Sequence, residues 1–238
     1  MIITDQKTVA EVVTKNIKAA HVFKKYGIDF CCGGGISIEK ACTKYDVDYS
    51  LLEKELLAID NGVSRTHNYD SWDLSFLIDH IINIHHSYVQ ESIPIVLQYA
   101  AKVAKVHGHH YNELMSIYSL FAEVAQELTM HMKKEEQILF PFIKQLVEAK
   151  KAGLEAPSPH FGTVNNPIRM MESEHENAGD TFKKIAQLSN NYTPPEGACN
   201  TFRALYSKLN EFEQDLHQHI HLENNILFPK AILLEAGI

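Results

Sequence analysis

The chain has 238 residues, of which 45% are hydrophobic and 22% are charged, and its formal net charge is −8. This balance is typical of an ordinary globular protein, and the excess of acidic residues argues against nucleic acid or an anionic membrane surface as a partner. The sequence has no run of about 18 apolar residues and no basic segment followed by an apolar one at its start, so we expect a cytoplasmic protein.

The first part of the chain predicts a small helical domain over residues 1–60. Capping-box sequences begin at Thr8 and at Ser50, and both lead into apolar residues at helical spacing. Between them, "YGIDFCCGGGIS" carries three consecutive glycines, which predict a loop. The polar, turn-rich stretch that follows predicts a linker over residues 61–71.

Residues 72–238 predict four amphipathic helices that pack as an antiparallel bundle, so the fold class is all-α. The second helix has the clearest stripe: Ile117, Leu120, Val124, Leu128, His131, Glu135, Ile138 and Phe142. Thr193, Pro194 and Glu196 predict the capped start of the fourth helix. Pro94 and Pro141 fall inside two of the helices, and we expect each of those helices to kink or end early.

An internal repeat distinguishes some of the fourteen histidines from the others. The segments "TMHMKKEEQILFP" (129–141) and "HQHIHLENNILFP" (217–229) share the pattern H-x-x-x-E-x-x-I-L-F-P. The shared positions are His131 and His219, Glu135 and Glu223, and the Ile-Leu-Phe-Pro that closes each copy. In both copies the histidine and the glutamate are one helical turn apart on an otherwise apolar stripe, so both side chains point into the core.

Two buried carboxylates that face each other are unfavourable unless a cation lies between them, and a metal ion is the simplest such cation. The first and third helices each place one more histidine on the inward stripe, His86 and His175. The predicted metal ligands are therefore His86, His131, Glu135, His175, His219 and Glu223. The alternative is a set of satisfied His–Glu hydrogen bonds in the core, which would have to arise independently in both halves.

Four imidazoles and two carboxylates are too many ligands for one tetrahedral zinc ion. They suit two octahedral ions that the carboxylates bridge, with positions left for an oxo or hydroxo bridge and an exogenous ligand. Nitrogen and oxygen ligation without a thiolate suits iron or manganese, and iron is favoured in a helix bundle. We therefore expect two non-haem iron ions with an oxo or hydroxo bridge.

The remaining histidines and two glutamates are weaker candidates. His85 could replace His86 if the first helix were rotated, and His107 could take part only if that helix folded back. We expect surface positions or indirect roles for His80, His109, His110, His160, His217 and His221. Glu136 and Glu172 have no equivalent in the other half of the repeat, and we expect both to be solvated.

The sequence resembles a known family, the di-iron proteins that repair iron-sulfur clusters (Repair of Iron Centres). The larger domain of these proteins is hemerythrin-like. The resemblance is carried by "DFCCGGG", "DHIINIHH", "HMKKEEQILFP", "MESEHENAG", "NNYTPPEGAC" and "HIHLENNILFP", in this order along nearly the whole chain. It implies a hemerythrin-like antiparallel four-helix bundle with a small N-terminal domain. It places the family's iron ligands on the same six residues and favours His86 over His85.

The resemblance also implies a role in restoring iron-sulfur clusters damaged by nitrosative or oxidative stress. Damaged iron-sulfur proteins would then be partners, and NO, O2 or peroxide would be small ligands; we expect a monomer or homodimer. Two other functions stay open: reduction of NO or peroxide at the two irons, and carriage or sensing of O2 or NO. An enzymatic activity is therefore uncertain.

The cysteines allow two interpretations. Cys31 and Cys32 are adjacent, and a disulfide between neighbours is strained and easily reduced, so the pair could exchange electrons or transfer iron or NO. Alternatively, both are buried in the small domain. We expect Cys42 and Cys199 to be inert core residues.

Overall fold

The computed structural model describes residues 4–59 and 68–237. Within these residues the chain is helical, and extended backbone pairs only in an isolated bridge between Thr8 and Ser37. The prediction of an all-α fold is therefore confirmed. Among the described residues, no helix is both long enough and apolar enough to cross a membrane.

The N-terminal unit consists of four short helices: α1 (Val9–Lys15), α2 (Ala19–Lys25), α3 (Ile38–Tyr45) and α4 (Tyr49–Ala58). The predicted capping box at Thr8 is confirmed, because the Thr8 hydroxyl accepts from the Glu11 N–H at 3.1 Å and the Glu11 carboxylate accepts from the Thr8 N–H at 2.7 Å. The second predicted box is wrong. Helix α4 is capped by Asp48, whose carboxylate accepts from the Leu51 N–H at 3.0 Å.

The loop between α2 and α3 contains both adjacent cysteines, as the glycine run predicted. Gly34 is required for close backbone contact, since a Cβ atom there would lie 2.4 Å from the Phe30 carbonyl oxygen. Of the predicted linker, residues 61–67 lie outside the described residues. The remainder includes a 3₁₀ turn at Tyr69–Ser71.

The four bundle helices are named A to D in chain order. Helix A (74–107) consists of α5 (Leu74–His80), a π-helical turn (Ile81–His86) and α6 (Ser87–His107). Helix B (113–152) consists of α7 (Glu113–Lys134), a π-helical turn (Glu135–Leu139) and α8 (Phe140–Ala152). Helix C is α9 (Asn165–Leu188), and helix D (200–236) consists of α10 (Asn200–Leu222), a π-helical turn (Glu223–Leu227) and α11 (Phe228–Ala236).

Helices A and C each pack against both B and D, so that the four form an antiparallel ring. Helix A runs through Pro94, so of the two effects expected of this proline an early end is excluded. Two other local predictions for these helices are wrong. Helix D begins at Asn200 after Cys199, so Thr193 is not its cap. Ile138 was expected on the inward stripe but is 41% exposed, because the π-helical turn shifts the helical phase and buries Leu139 instead.

The apolar core of the bundle forms two clusters. The larger cluster includes Val89, Leu128 and Leu216 and continues into the N-terminal unit. The smaller one includes Ile81 and Leu139 and fills the opposite end of the bundle. The predicted metal ligands lie between these clusters and belong to neither, so the two apolar clusters enclose one polar layer.

Candidate metal centre

Six buried histidine and glutamate side chains converge in the polar layer. One group of four consists of His86, Glu135, His219 and Glu223, and a second consists of His131, Glu135, His175 and Glu223. In each group, one possible ligand atom of every residue lies within 4.8 Å of the others. Glu135 and Glu223 belong to both groups, which is the arrangement that two carboxylate-bridged metal ions require.

The distances within the layer are short. The Nε2 atoms of His86 and His131 each lie 3.4 Å from Oε2 of Glu135. Glu223 occupies the equivalent place in the other half, with its carboxylate oxygens 3.1 Å from His219 Nε2 and 3.2 Å from His175 Nε2. The structure thus brings together all six residues that the sequence singled out.

The three π-helical turns all meet this layer. His86 ends the turn of helix A, whereas Glu135 and Glu223 begin the turns of helices B and D. A π-helical turn inserts one residue and changes the direction of the side chains that follow, which is why such turns are frequent at functional sites. Pro141 and Pro229 each come just after a turn, near the start of the next α-helix, where a missing N–H is tolerated.

The phenylalanine of each repeat copy packs against a histidine of the layer. The Phe140 ring stacks on His86, with centroids 5.8 Å apart, and the Phe228 ring stacks on His175, with centroids 6.1 Å apart. Both phenylalanines are buried. The Ile-Leu-Phe-Pro ending therefore supplies an apolar floor that fixes one histidine in each half.

Three of the four histidines donate their Nδ1–H to a neighbouring side chain. His86 donates to Glu136 at 2.7 Å, and His175 donates to the Asn224 side-chain oxygen at 2.8 Å. His131 donates to Glu174 at 2.8 Å, and Glu174 is also paired with Lys134. These bonds direct the Nε2 atoms at the centre, as metal ligation requires.

Glu136, Glu174 and Asn224 were not among the residues predicted from the sequence to act at the centre, and the expectation of a solvated Glu136 is wrong. The sequence does contain a signal for these three residues, because each of them is the immediate neighbour of a predicted ligand. Glu136 and Asn224 even occupy the same position of the repeat, one residue after the shared glutamate. Glu172, the other glutamate that we expected to be solvated, is only partly exposed and joins neither group.

His85 lies beside the centre without belonging to either group. Its Nδ1 pairs with Asp215 at 2.9 Å, and its ring stacks on His219 with centroids 5.5 Å apart and planes only 6° from parallel. His86, not His85, therefore faces the two carboxylates. His107 is at the far end of helix A, where its Nε2 is 3.3 Å from the Cys199 sulfur.

Opposite charges that lie close together in the layer shift the pKa values of its residues. Burial and Glu223 raise the pKa of Glu135, but the imidazoles of His131 and His86 outweigh them and lower it. Burial likewise opposes ionisation of Glu223, yet His219 and His175 hold the pKa of that carboxyl well below its usual range. Burial lowers the pKa of His131, but Glu135 dominates and raises it to about 10.

The residues present fit a pair of iron ions. Four buried ligand atoms have no hydrogen-bond partner among the described residues: His86 Nε2, both carboxylate oxygens of Glu135, and Glu223 Oε2. Polar atoms so deeply buried are unfavourable unless something satisfies them. The donors are imidazole nitrogens and carboxylate oxygens only, a set that suits iron.

A cavity of about 550 Å³ lies between helices B and C and borders on one residue of the centre. His131 lines it, together with Glu127, Lys134 and Glu174. On this side, therefore, His131 alone separates the cavity from the two carboxylates of the layer.

The N-terminal unit covers the outer face of helix D next to the centre. The Phe30 ring contacts His217 and His221, with centroids 5.8 and 6.1 Å away, and the Asn225 amide donates to the Cys31 carbonyl at 3.1 Å. The expected surface position is therefore wrong for His221, which is buried, and His217 is half-buried. Burial lowers the pKa of both histidines, that of His221 to about 4.

All four cysteines are free thiols. Cys31 is buried, and its thiol donates to the Asp29 carboxylate at 3.3 Å, while Cys32 is partly exposed. A hydrogen bond with Cys32 and burial raise the pKa of Cys31 well above its usual range. Cys42 is buried as expected, but the prediction for Cys199 is wrong, because it caps the exposed start of helix D.

Comparison with known proteins covers both parts of the chain. Residues 77–231 match the hemerythrin HHE cation binding domain, and residues 5–60 match a family described as a domain of unknown function (ScdA_N, DUF542). The iron-sulfur cluster repair protein YtfE of Yersinia pseudotuberculosis serotype IB is 39% identical over 215 residues, which cover 90% of this chain and 91% of that protein. Proteins of the same name from the Pestoides F and Angola strains of Yersinia pestis match with the same identity and coverage.

Proposed function

The chain belongs to the family of iron-sulfur cluster repair proteins, and from this we propose that it restores clusters damaged by nitrosative or oxidative stress with the help of a two-iron centre. The proposed iron ligands are His86, His131, Glu135, His175, His219 and Glu223. The observation that carries the proposal is that the two groups of four share both carboxylates.

Glu135 and Glu223, which belong to both groups of four, would hold both ions, and each of the four histidines would provide one nitrogen. Glu136, Glu174 and Asn224 hold three of the imidazoles in the orientation and tautomer that ligation needs. When bound, the iron pair supplies iron that can be passed to a damaged cluster and an open coordination position for NO, O2 or peroxide.

We propose that ferrous ions enter and leave through the cavity between helices B and C. Glu127 and Glu174 place carboxylates along its wall, and carboxylates attract a ferrous ion on its way to or from His131. We take damaged iron-sulfur proteins as the partners that receive the iron.

We further propose that the chain is divided into a small domain over 1–60, a linker over 61–71 and the bundle over 72–238. Cys31 then lies next to helix D, since its carbonyl accepts from Asn225, and Cys32 beside it is partly exposed. We propose that the two thiols take part in electron, iron or NO transfer.

The test compares the same substitution, glutamate to glutamine, at two positions. Glu135→Gln removes a shared ligand charge with almost no change in volume, and Glu176→Gln makes the same change on the exposed face of helix C. Each variant is added to an enzyme whose iron-sulfur cluster has been destroyed by NO, and the recovered enzyme activity is measured. We expect recovery with the wild type and with E176Q, and none with E135Q; recovery with E135Q at the wild-type rate would refute the proposal.

A second candidate function is the reduction of NO or peroxide, which the cavity beside His131 favours because it offers space for a small molecule next to a proposed ligand. The reduced protein is mixed with NO or peroxide and an excess of an artificial electron donor, in the absence of any client protein and beside a control without the protein. Repeated turnover would favour this second function, and a single stoichiometric reaction would favour repair.

A further inference from the structure

A second cavity lies between the N-terminal unit and the outer sides of helices C and D. Its volume is about 370 Å³, which is within the range of pockets for small molecules, and pockets at domain interfaces are common binding sites. The lining residues that matter here are Lys24, Asp29, Lys183, Tyr192, Glu213 and His217. None of them belongs to the two groups that form the metal centre.

The charges of this cavity are balanced and paired. Lys24 Nζ is 2.6 Å from the carboxylate of Glu213, which is only 5% exposed. On the other side, Lys183 Nζ is 3.6 Å from the Asp29 carboxylate and 3.1 Å from the exposed Asp180. Two ammonium groups thus face two carboxylates in the cavity wall, so the wall is close to neutral but strongly polar.

Two polar atoms of the wall are buried. Nδ1 of His217 has no hydrogen-bond partner among the described residues, and the Tyr192 hydroxyl faces only the Glu213 carboxylate. A buried polar atom without a partner is unfavourable, so Nδ1 of His217 indicates that a polar ligand occupies the cavity.

The backbone next to the cavity is strained. Asn190, Asn191 and Tyr192 have φ angles of 48°, 52° and 58°, so three consecutive residues with side chains adopt the left-handed conformation. This conformation is unfavourable for residues with a side chain, least so for asparagine, and strain of this kind concentrates at binding sites. The conformation holds Asn191 and Tyr192 in the cavity wall.

From these observations we propose that the cavity binds an amino-acid zwitterion, either a free amino acid or a short peptide. The carboxylate of such a ligand meets the lysines, its ammonium group meets Asp29 and Glu213, and its remaining polar groups satisfy His217 and Tyr192. A polyanion would face the two carboxylates, and a metal cation would face the two lysines, so the balanced charges disfavour both.

The ligand would contact both parts of the chain at once. Lys24 and Asp29 belong to the N-terminal unit, whereas Lys183 and His217 belong to helices C and D. Binding therefore fastens the N-terminal unit to the bundle and raises the thermal midpoint of unfolding with ligand concentration.

Isothermal titration calorimetry of the full chain tests the proposal with three probes: L-serine, L-cysteine and glycylglycine. Serine and cysteine represent free amino acids and differ only in the side-chain oxygen or sulfur, and glycylglycine represents short peptides. We expect saturable binding of at least one of the three. Heat no greater than that of dilution for all three at millimolar concentration would overturn the proposal.

Two variants locate the binding. Lys183→Ala removes one cavity cation, and Lys184→Ala is its control, because Lys184 is the next residue, is exposed and does not line the cavity. Tyr192→Phe removes only the buried hydroxyl and keeps the ring. We expect K183A and Y192F each to weaken binding about tenfold and K184A to leave it unchanged. Unchanged binding by both K183A and Y192F, with wild-type circular dichroism, would place the ligand elsewhere and refute the site.

Discussion

Glu136 and Asn224 make equivalent contacts with different chemistry, and this difference yields a quantitative prediction. Each side chain follows the shared glutamate of its repeat copy and accepts from a histidine Nδ1–H of the neighbouring helix, at 2.7 and 2.8 Å. The geometry is almost the same, but Glu136 is a carboxylate and Asn224 is a neutral amide. We therefore expect Glu136→Ala to weaken iron binding more than Asn224→Ala does.

The magnitudes follow from the type of hydrogen bond. A bond to a charged acceptor contributes about 1.5–3 kcal/mol and a neutral bond about 1 kcal/mol. Because the Glu136 side chain is 32% exposed, solvent screening favours the lower end of its range. We expect E136A to lower iron affinity about ten- to thirtyfold and N224A about fivefold, consistent with the effects of outer-shell changes at other metal sites.

The assay is anaerobic competition for ferrous ion between the protein and a chromophoric chelator. Gln137→Ala is the matched control, since Gln137 is the exposed residue that follows Glu136. The expected order of affinity is wild type and Q137A, then N224A, then E136A. An E136A variant that matches Q137A, or an N224A variant that is weaker than E136A, would refute the reasoning.

Three further predictions concern stability and exposure. Thr8→Ala should lower the free energy of unfolding by about 1 kcal/mol in urea titration because it removes a capping box, and an unchanged midpoint would contradict this. Phe30→Ala should weaken the docking of the N-terminal unit by about 3 kcal/mol, so limited proteolysis should release that unit faster than from the wild type; an equal rate would argue against docking through this ring. A maleimide should label exposed Cys199 well before buried Cys42 in the native protein, and equal rates would contradict the burial described above.

The metal layer could be predicted from the sequence because the pattern that carries its ligands occurs twice. His131 and His219 occupy the same place in two copies of one pattern, and helical phase separates them from their neighbours. The six candidate residues and the all-α bundle follow from that phase. The same reasoning favoured His86 over the adjacent His85 but left His85 open for a rotated helix, and in the structure it is His86 that joins the two carboxylates.

Features that depend on tertiary contacts could not be predicted from periodicity. Nothing in the composition indicates the residue that each π-helical turn inserts. For this reason Ile138 was predicted on the buried side of helix B, although it is exposed. His217 and His221 do lie on the outer side of helix D, but the N-terminal unit covers that side. At α4, Asp48 and Ser50 are both good capping residues, and the sequence pattern favoured the wrong one.

The most direct test of the two-iron centre is the number of metal ions bound per chain. The purified protein is reconstituted with ferrous ion under anaerobic conditions, desalted, analysed for metals and examined by visible spectroscopy after oxidation. We predict two irons per chain and an oxo-bridge band for the wild type and E176Q, and loss of both irons in E135Q, because Glu135 belongs to both groups of ligands. A single zinc ion per chain, or two irons retained in E135Q, would contradict the account.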